Sequence, residues 1–221
     1  MNSVKLAVLG TLALALSITL YSCKKGKIVS TGDISITDVV KAKFTSNVTI
    51  STSGSGKKSS ITLKSNGLPD HKTPYWGSGN ALYEEFPFGH QANANTEMIA
   101  QTYKMKIPTN PNEAASKEET SLGEIGMALN GVAIFNDREG GNVSLDAMTL
   151  TTFDNSGAHP APAKNYHYHT TGKYISVDDA KLIGFLRDGF PIYGRKDTTG
   201  VYPTLDEYGG HYGPTQDFPN G

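Results

Sequence analysis

Cysteine is nearly absent. The 221 residues hold one, Cys23, so no intramolecular disulfide can form. Charge of one sign is absent too: 20 Lys and Arg stand against 21 Asp and Glu, a net charge of -1. That balance gives no reason to expect nucleic acid or an anionic membrane surface as a partner. Strong helical periodicity is found nowhere after residue 22. The marks of several chemistries are missing as well. There is no nucleophile elbow and no placed carboxylate pair of a glycosidase. Ser51 to Ser60, S-T-S-G-S-G-K-K-S-S, lacks the first glycine of a phosphate-binding loop and reads as a flexible loop or hairpin tip. Asp137 to Asn142, D-R-E-G-G-N, is acidic and glycine-rich but lacks the ligand spacing of a calcium loop, and it reads as a surface turn.

What is present begins with one long apolar run, Leu6 to Leu20, preceded by Lys5. It is too short for a spanning helix and fits the apolar centre of a signal peptide. It ends in Leu20-Tyr21-Ser22-Cys23, which resembles a bacterial lipoprotein cleavage box. The expected layout is a signal peptide over 1–22, a polar tether over 23–33 and a single domain over 34–221. A lipidated Cys23 would then anchor the chain, since buried acyl methylenes contribute about 0.8 kcal/mol each. Periplasmic or outer-membrane placement follows, with Lys24 leaning towards the outer membrane.

The domain reads as all-β. Gly 24 and Pro 11 against modest apolar content predict many turns and short strands. Residues 34–50 alternate loosely as half-buried strands do, with Val40, Ala42, Phe44, Val48 and Ile50. Further strands are expected at Ile61–Leu63 and Met98–Ile107. Two more flank Asn130-Gly131, the commonest hairpin signal, and another two flank Arg187-Asp188-Gly189. The architecture expected is an antiparallel β-sandwich-like domain of two packed sheets with long Gly- and Pro-rich loops.

The chemistry concentrates in Thr152 to His169, T-F-D-N-S-G-A-H-P-A-P-A-K-N-Y-H-Y-H, which holds three of the six histidines. On a strand His167 and His169 would share one face and Tyr166 and Tyr168 the other. Two such imidazoles can grip an ion when further ligands arrive. Thr204 to His211, T-L-D-E-Y-G-G-H, repeats Thr152 to His159, T-F-D-N-S-G-A-H, with Thr, Asp, Gly and His at identical spacing. The repeat predicts two adjacent loops that bring His159 and His211 together. The expected metal ligands are therefore His159, His167, His169 and His211. Asp154 and Asp206 would orient imidazoles, and Tyr166 and Tyr168 would be oxygen ligands or an aromatic wall. A nitrogen-rich, sulfur-free site suits Zn or Cu. His71 and His90, isolated in loops, are possible ligands but read first as hydrogen-bonding or solvated groups. Two readings compete with a metal: Tyr and His packed as a purely structural ladder in a surface module that binds glycan or protein, and His-Asp pairs doing acid-base work.

Tyr-His-Tyr-His at 166–169, Asp154-x-x-Gly-x-His-Pro160 and Asp188-Gly-Phe-Pro-Ile-Tyr-Gly194 resemble the YHYH protein family. Ser65-Asn-Gly-Leu-Pro-Asp-His71 and Ala128-Leu-Asn-Gly-Val132 resemble blocks of the same family. The resemblance implies a secreted bacterial domain. Many relatives carry cysteines where Ser156 and Tyr208 stand, which implies that the two repeated loops touch. Relatives also continue into a second Tyr-His-Tyr-His run, so this sequence is expected to lack a C-terminal segment.

Overall fold

The computed structural model describes residues 34–92, 94–176 and 178–221. The expected signal peptide, tether and Cys23 lie outside the described residues. Residues 33–221 form one compact unit.

The first element corrects an expectation. Ile36–Lys43 is a helix, α1, although its β-branched residues alternate loosely enough to suggest a strand. Two local effects decide it. Ser35 caps the helix by accepting from the Asp38 N–H, and its hydroxyl donates to the Asp38 carboxylate. Ile36, Val39, Val40 and Phe44 also stand three and four residues apart, so they line one helical face that packs into the core. Strand structure begins only afterwards, with β1 (Thr49–Ser53), β2 (Ser60–Ser65) and β3 (Tyr103–Pro108) in an antiparallel sheet of order β1-β2-β3.

The second sheet holds β4 (Glu124–Ala128), β5 (Ala133–Phe135), β8 (Ala158–Pro160), β9 (Tyr166–Tyr168), β10 (Leu182–Leu186) and β11 (Pro191–Tyr193), in the order β11-β10-β4-β5-β9-β8. Both hairpins expected from the sequence are present: β4–β5 around Gly131, at φ 90°, and β10–β11 around Gly189, at φ 96°. One contact in this sheet is parallel, β5 with β9. The sheet is therefore mixed where antiparallel pairing was expected. Between β5 and β8 the chain forms a two-stranded hairpin, β6 (Arg138–Glu139) with β7 (Val143–Ser144), and a single helical turn, α2 (Ala147–Leu150).

Inward residues of the small sheet (Ile61, Leu63, Met105, Ile107) meet Met127, Leu182 and Phe185 of the large one, with Val39, Val40 and Phe44 of α1 in the same cluster. A second cluster gathers Tyr75, Ala128, Val132, Ala158, Tyr166 and Tyr168. The domain is all-β, with two sheets sharing one apolar interior as a sandwich requires.

Close approach of backbones sets one residue choice in this interior. A Cβ on Gly184 in β10 would lie 2.2 Å from the Met127 carbonyl oxygen of β4. Gly184→Ala must push the two strands apart, and an overpacked core costs about 1–3 kcal/mol. Calorimetry should record a lowered Tm; an unchanged Tm would mean the sheet opens there without strain.

Candidate metal centre

The centre starts from strand register. β8 and β9 pair with His159 opposite His167, flanked by Ala158 opposite Tyr168 and Pro160 opposite Tyr166. Side chains alternate along a strand, so both imidazoles emerge on one face and both tyrosines on the other. His169 lies just past β9, where its N–H donates to the Gly157 carbonyl. Its ring lies 4.6 Å from that of His167 and 5.4 Å from that of His159, centroid to centroid. The β6–β7 hairpin adds a carboxylate: Glu139 Oε1 stands 3.0 Å from His159 Nε2 and 3.4 Å from His169 Nε2. One donor atom from each of Glu139, His159, His167 and His169 lies within 4.8 Å of all the others.

The outer nitrogens define which atoms point inward. His167 Nδ1 is 3.0 Å from the Asn165 carbonyl oxygen, and His169 Nδ1 is 2.6 Å from that of Asn136. A carbonyl only accepts, so both Nδ1 atoms carry hydrogen. His159 Nδ1 lies 2.7 Å from Thr152 Oγ1, whose own hydrogen goes to the Thr149 carbonyl, so this nitrogen donates as well. All three neutral rings therefore turn an Nε2 lone pair towards the shared point. Burial lowers the pKa of all three histidines; for His159 burial and proximity to His169 together bring it to about 4, and His169 and His159 add to the lowering of His167. Neutral imidazole is the metal-binding form. Nε2 of His167 and Nε2 of His169 are 2.8 Å apart. A tetrahedral ion with bonds of about 2.0–2.1 Å spaces its donors by roughly 3.3 Å. Three of the six donor pairs lie 2.8, 3.0 and 3.4 Å apart, in the range of neighbouring ligands on one ion.

Phenylalanines wall the site. Phe153 lies parallel to His169 with centroids 5.3 Å apart, and Phe135 is 4.0 Å from His167. His159 and His167 are buried, as is the side chain of His169, and the Glu139 side chain, 30 % exposed, forms the outer edge.

Several expected site residues fall elsewhere. His211 is exposed and is not among the four converging donors. Asp206 is exposed as well, and its carboxylate accepts from the N–H groups of Tyr208 and Gly210, not from an imidazole. Asp154 is buried but also turns away from the histidines. Its Oδ1 accepts from the N–H groups of Ser156 and Ala158, and its Oδ2 from Tyr166 at 2.5 Å. Thr152 takes the orienting role expected of Asp154. Tyr166 and Tyr168 do not wall the centre. They lie on the other face of β9, where Tyr168 sits between His71 Nε2, at 2.7 Å, and the Asn130 amide, at 2.9 Å. His90, as expected, is a hydrogen-bonding group: its Nδ1 donates to the Phe153 carbonyl.

The repeat is real, but it specifies a loop. In both copies the Asp N–H donates to a carbonyl four residues on, the Gly N–H donates back to the Asp carbonyl, and Gly157 and Gly209 have φ of 72° and 79°. Asp197 to Val201, D-T-T-G-V, makes the same loop a third time, with Gly200 at φ 83°. A carboxylate accepting from N–H groups two and four residues on needs only Asp-x-x-Gly, so the motif carries no information about long-range contacts. The first copy is packed against 170–173, where Ser156 is fully buried. The second lies by 113–117, with Lys117 over the Tyr208 ring and Tyr212 donating to Glu113.

Sequence reasoning missed Glu139, placed in a segment read as a surface turn. That segment is a hairpin, and one of its strand residues folds back onto β8. No local pattern marks such an acid, because its role depends on where the hairpin lies.

Residues 104–202 match the family model described as YHYH protein. No curated protein and no solved structure matches the chain.

Two outcomes follow from this geometry. A histidine with a lowered folded pKa binds fewer protons folded than unfolded, so stability rises with pH across the interval between the two values. Metal-free protein should be most stable above about pH 6.5, the ordinary histidine value, and lose stability as the pH falls towards 4, the His159 value. Chemical denaturation at a series of pH values checks this; a flat profile would contradict neutral, buried imidazoles. In a Ser156→Cys, Tyr208→Cys double variant both new thiols should stay free, because the positions lie in loops held by different parts of the chain. Thiol titration after mild oxidation measures it; a bridge would require Cα atoms within about 7 Å.

Proposed function

We infer that this chain, which carries a YHYH domain over residues 104–202, is a metal-binding protein of the bacterial cell envelope. Glu139, His159, His167 and His169 hold a divalent transition ion. The observation that carries this reading is the convergence of a carboxylate and three histidines whose outer nitrogens are each committed to an acceptor. A nitrogen-rich, sulfur-free donor set of three imidazoles and one carboxylate suits Zn(II) or Cu(II). Such an ion supplies positive charge that joins β6, β8 and the end of β9. If all four protein donors were bound to a four-coordinate ion, they would fill its positions, as in structural sites. The apolar run Leu6 to Leu20 ending at Cys23 supports envelope placement through a lipidated cysteine.

Protein stripped with chelator and then repleted should take up one equivalent of Zn(II) by elemental analysis. At a thousandfold excess of free ion over Kd, binding should add about 4 kcal/mol of stability, a Tm rise on the order of 10 °C for a domain of this size. His167→Ala with His169→Ala should abolish uptake, whereas Glu139→Gln should weaken it and leave the three-nitrogen set. Intact folding with no bound transition metal under these conditions would sink the reading.

A further inference from the structure

The small sheet has an outward face of a different character. Between Asp38 and Asp70, and again between Glu97 and Glu113, the chain contains no carboxylate residue, and these stretches supply all of β1, β2 and β3. Ile61, Leu63, Met105 and Ile107 point inward from β2 and β3, while Lys64, Lys104 and Lys106 are exposed on the strands and Lys57 and Lys58 on the turn beside them. Lys64 stands directly opposite Lys104 in the register. Like charges so placed are destabilising, yet none of these five lysines makes an ion pair among the described residues.

Two depressions lie on this face. One, of about 410 Å³, is lined by Lys64 and Lys104 together with Asn47, Thr49, Asn66 and Gln101. The other, of about 270 Å³, is lined by Lys57, Lys58 and Lys106. Ammonium groups beside amides and a hydroxyl match a ligand that presents carboxylates and hydroxyls together. Lys104 and Lys106 repeat along the strand at about 7 Å, which suits a polymer of repeating charge better than a single small anion. None of the large apolar residues that stand exposed belongs to β1, β2 or β3, so the face offers nothing to insert into a bilayer.

We propose that the outer face of the β1-β2-β3 sheet binds an acidic polysaccharide of uronate type, with Lys64 and Lys104 contacting its carboxylates. The chain's net charge of -1 hides this face, because its compensating acids lie on other elements. Binding here is independent of the metal centre.

Affinity electrophoresis of the full chain through gels containing polygalacturonate, with neutral dextran as the control, tests the proposal. Polygalacturonate should retard the protein, dextran should not, and about 1 M salt should abolish the retardation by screening. Chelator-treated protein should behave like untreated protein. Lys64→Gln with Lys104→Gln should weaken binding about tenfold without lowering Tm, since it removes a like-charge pair. Lys173→Gln with Lys196→Gln, the same change in net charge elsewhere, should not weaken it. Equal retardation of the two double variants would overturn the proposal. So would absence of retardation by polygalacturonate, including the case in which anionic vesicles, but not zwitterionic ones, bind the chain through the same lysines.

Discussion

Three imidazole lone pairs and a carboxylate oxygen directed at one point repel one another unless a positive charge lies among them. Their positions are not loose. A backbone carbonyl or a threonine hydroxyl holds the far nitrogen of each ring, and phenylalanine rings close two sides. Rotating any ring to relieve the crowding would break one of those hydrogen bonds in a buried setting, where an unmet polar group costs about 1–3 kcal/mol. A divalent ion resolves the conflict without moving a ring. The four donor atoms are placed where they could hold a metal ion.

The same strand carries a second polar assembly on its opposite face. Tyr166 donates to Asp154, whose carboxyl is pushed up by burial against hydrogen bonds from Thr73, Tyr166 and the Ser156 backbone. Tyr168 links His71 to Asn130, and Asn130 reaches Asp70. Tyr75, Tyr166, Tyr168 and His71 meet at ring distances of 5.8–6.4 Å. Alternation on β9 therefore divides labour: odd positions serve the candidate metal centre, and even positions weld β9 to the loops around residues 70–75. The Tyr/His ladder considered as an alternative to a metal describes the tyrosine face correctly and leaves the histidine face open for ligation.

Asp-x-x-Gly fixes a local loop and not a contact between its copies. The identity between Thr152–His159 and Thr204–His211 encodes matching hydrogen bonds and matching positive φ at glycine. Those interactions span five residues and close on themselves. Whether the histidine that follows is buried or exposed depends on the strand that continues from the loop. After Gly157 the chain enters β8 and pairs with β9; after Gly209 no strand forms.

Local rules determined much of this protein from sequence alone. Strand alternation put His167 and Tyr166 on opposite faces, Asn130-Gly131 and Asp188-Gly189 turned their hairpins, and the glycine and proline content required short strands and long loops. Tertiary structure decided the rest. Ser35 and the burial of Val39 and Val40 overrode a strand-like stretch, the β6–β7 hairpin brought Glu139 to the histidines, and sheet pairing separated His211 from them. Folding also gathered the lysines of β2 and β3 onto one acid-free face, which a balanced net charge conceals. The physical reason is range: hydrogen bonds and φ preferences act over a few residues and can be read in order. Which side chains share a point in space depends on contacts between segments tens of residues apart, and only the packed chain supplies those.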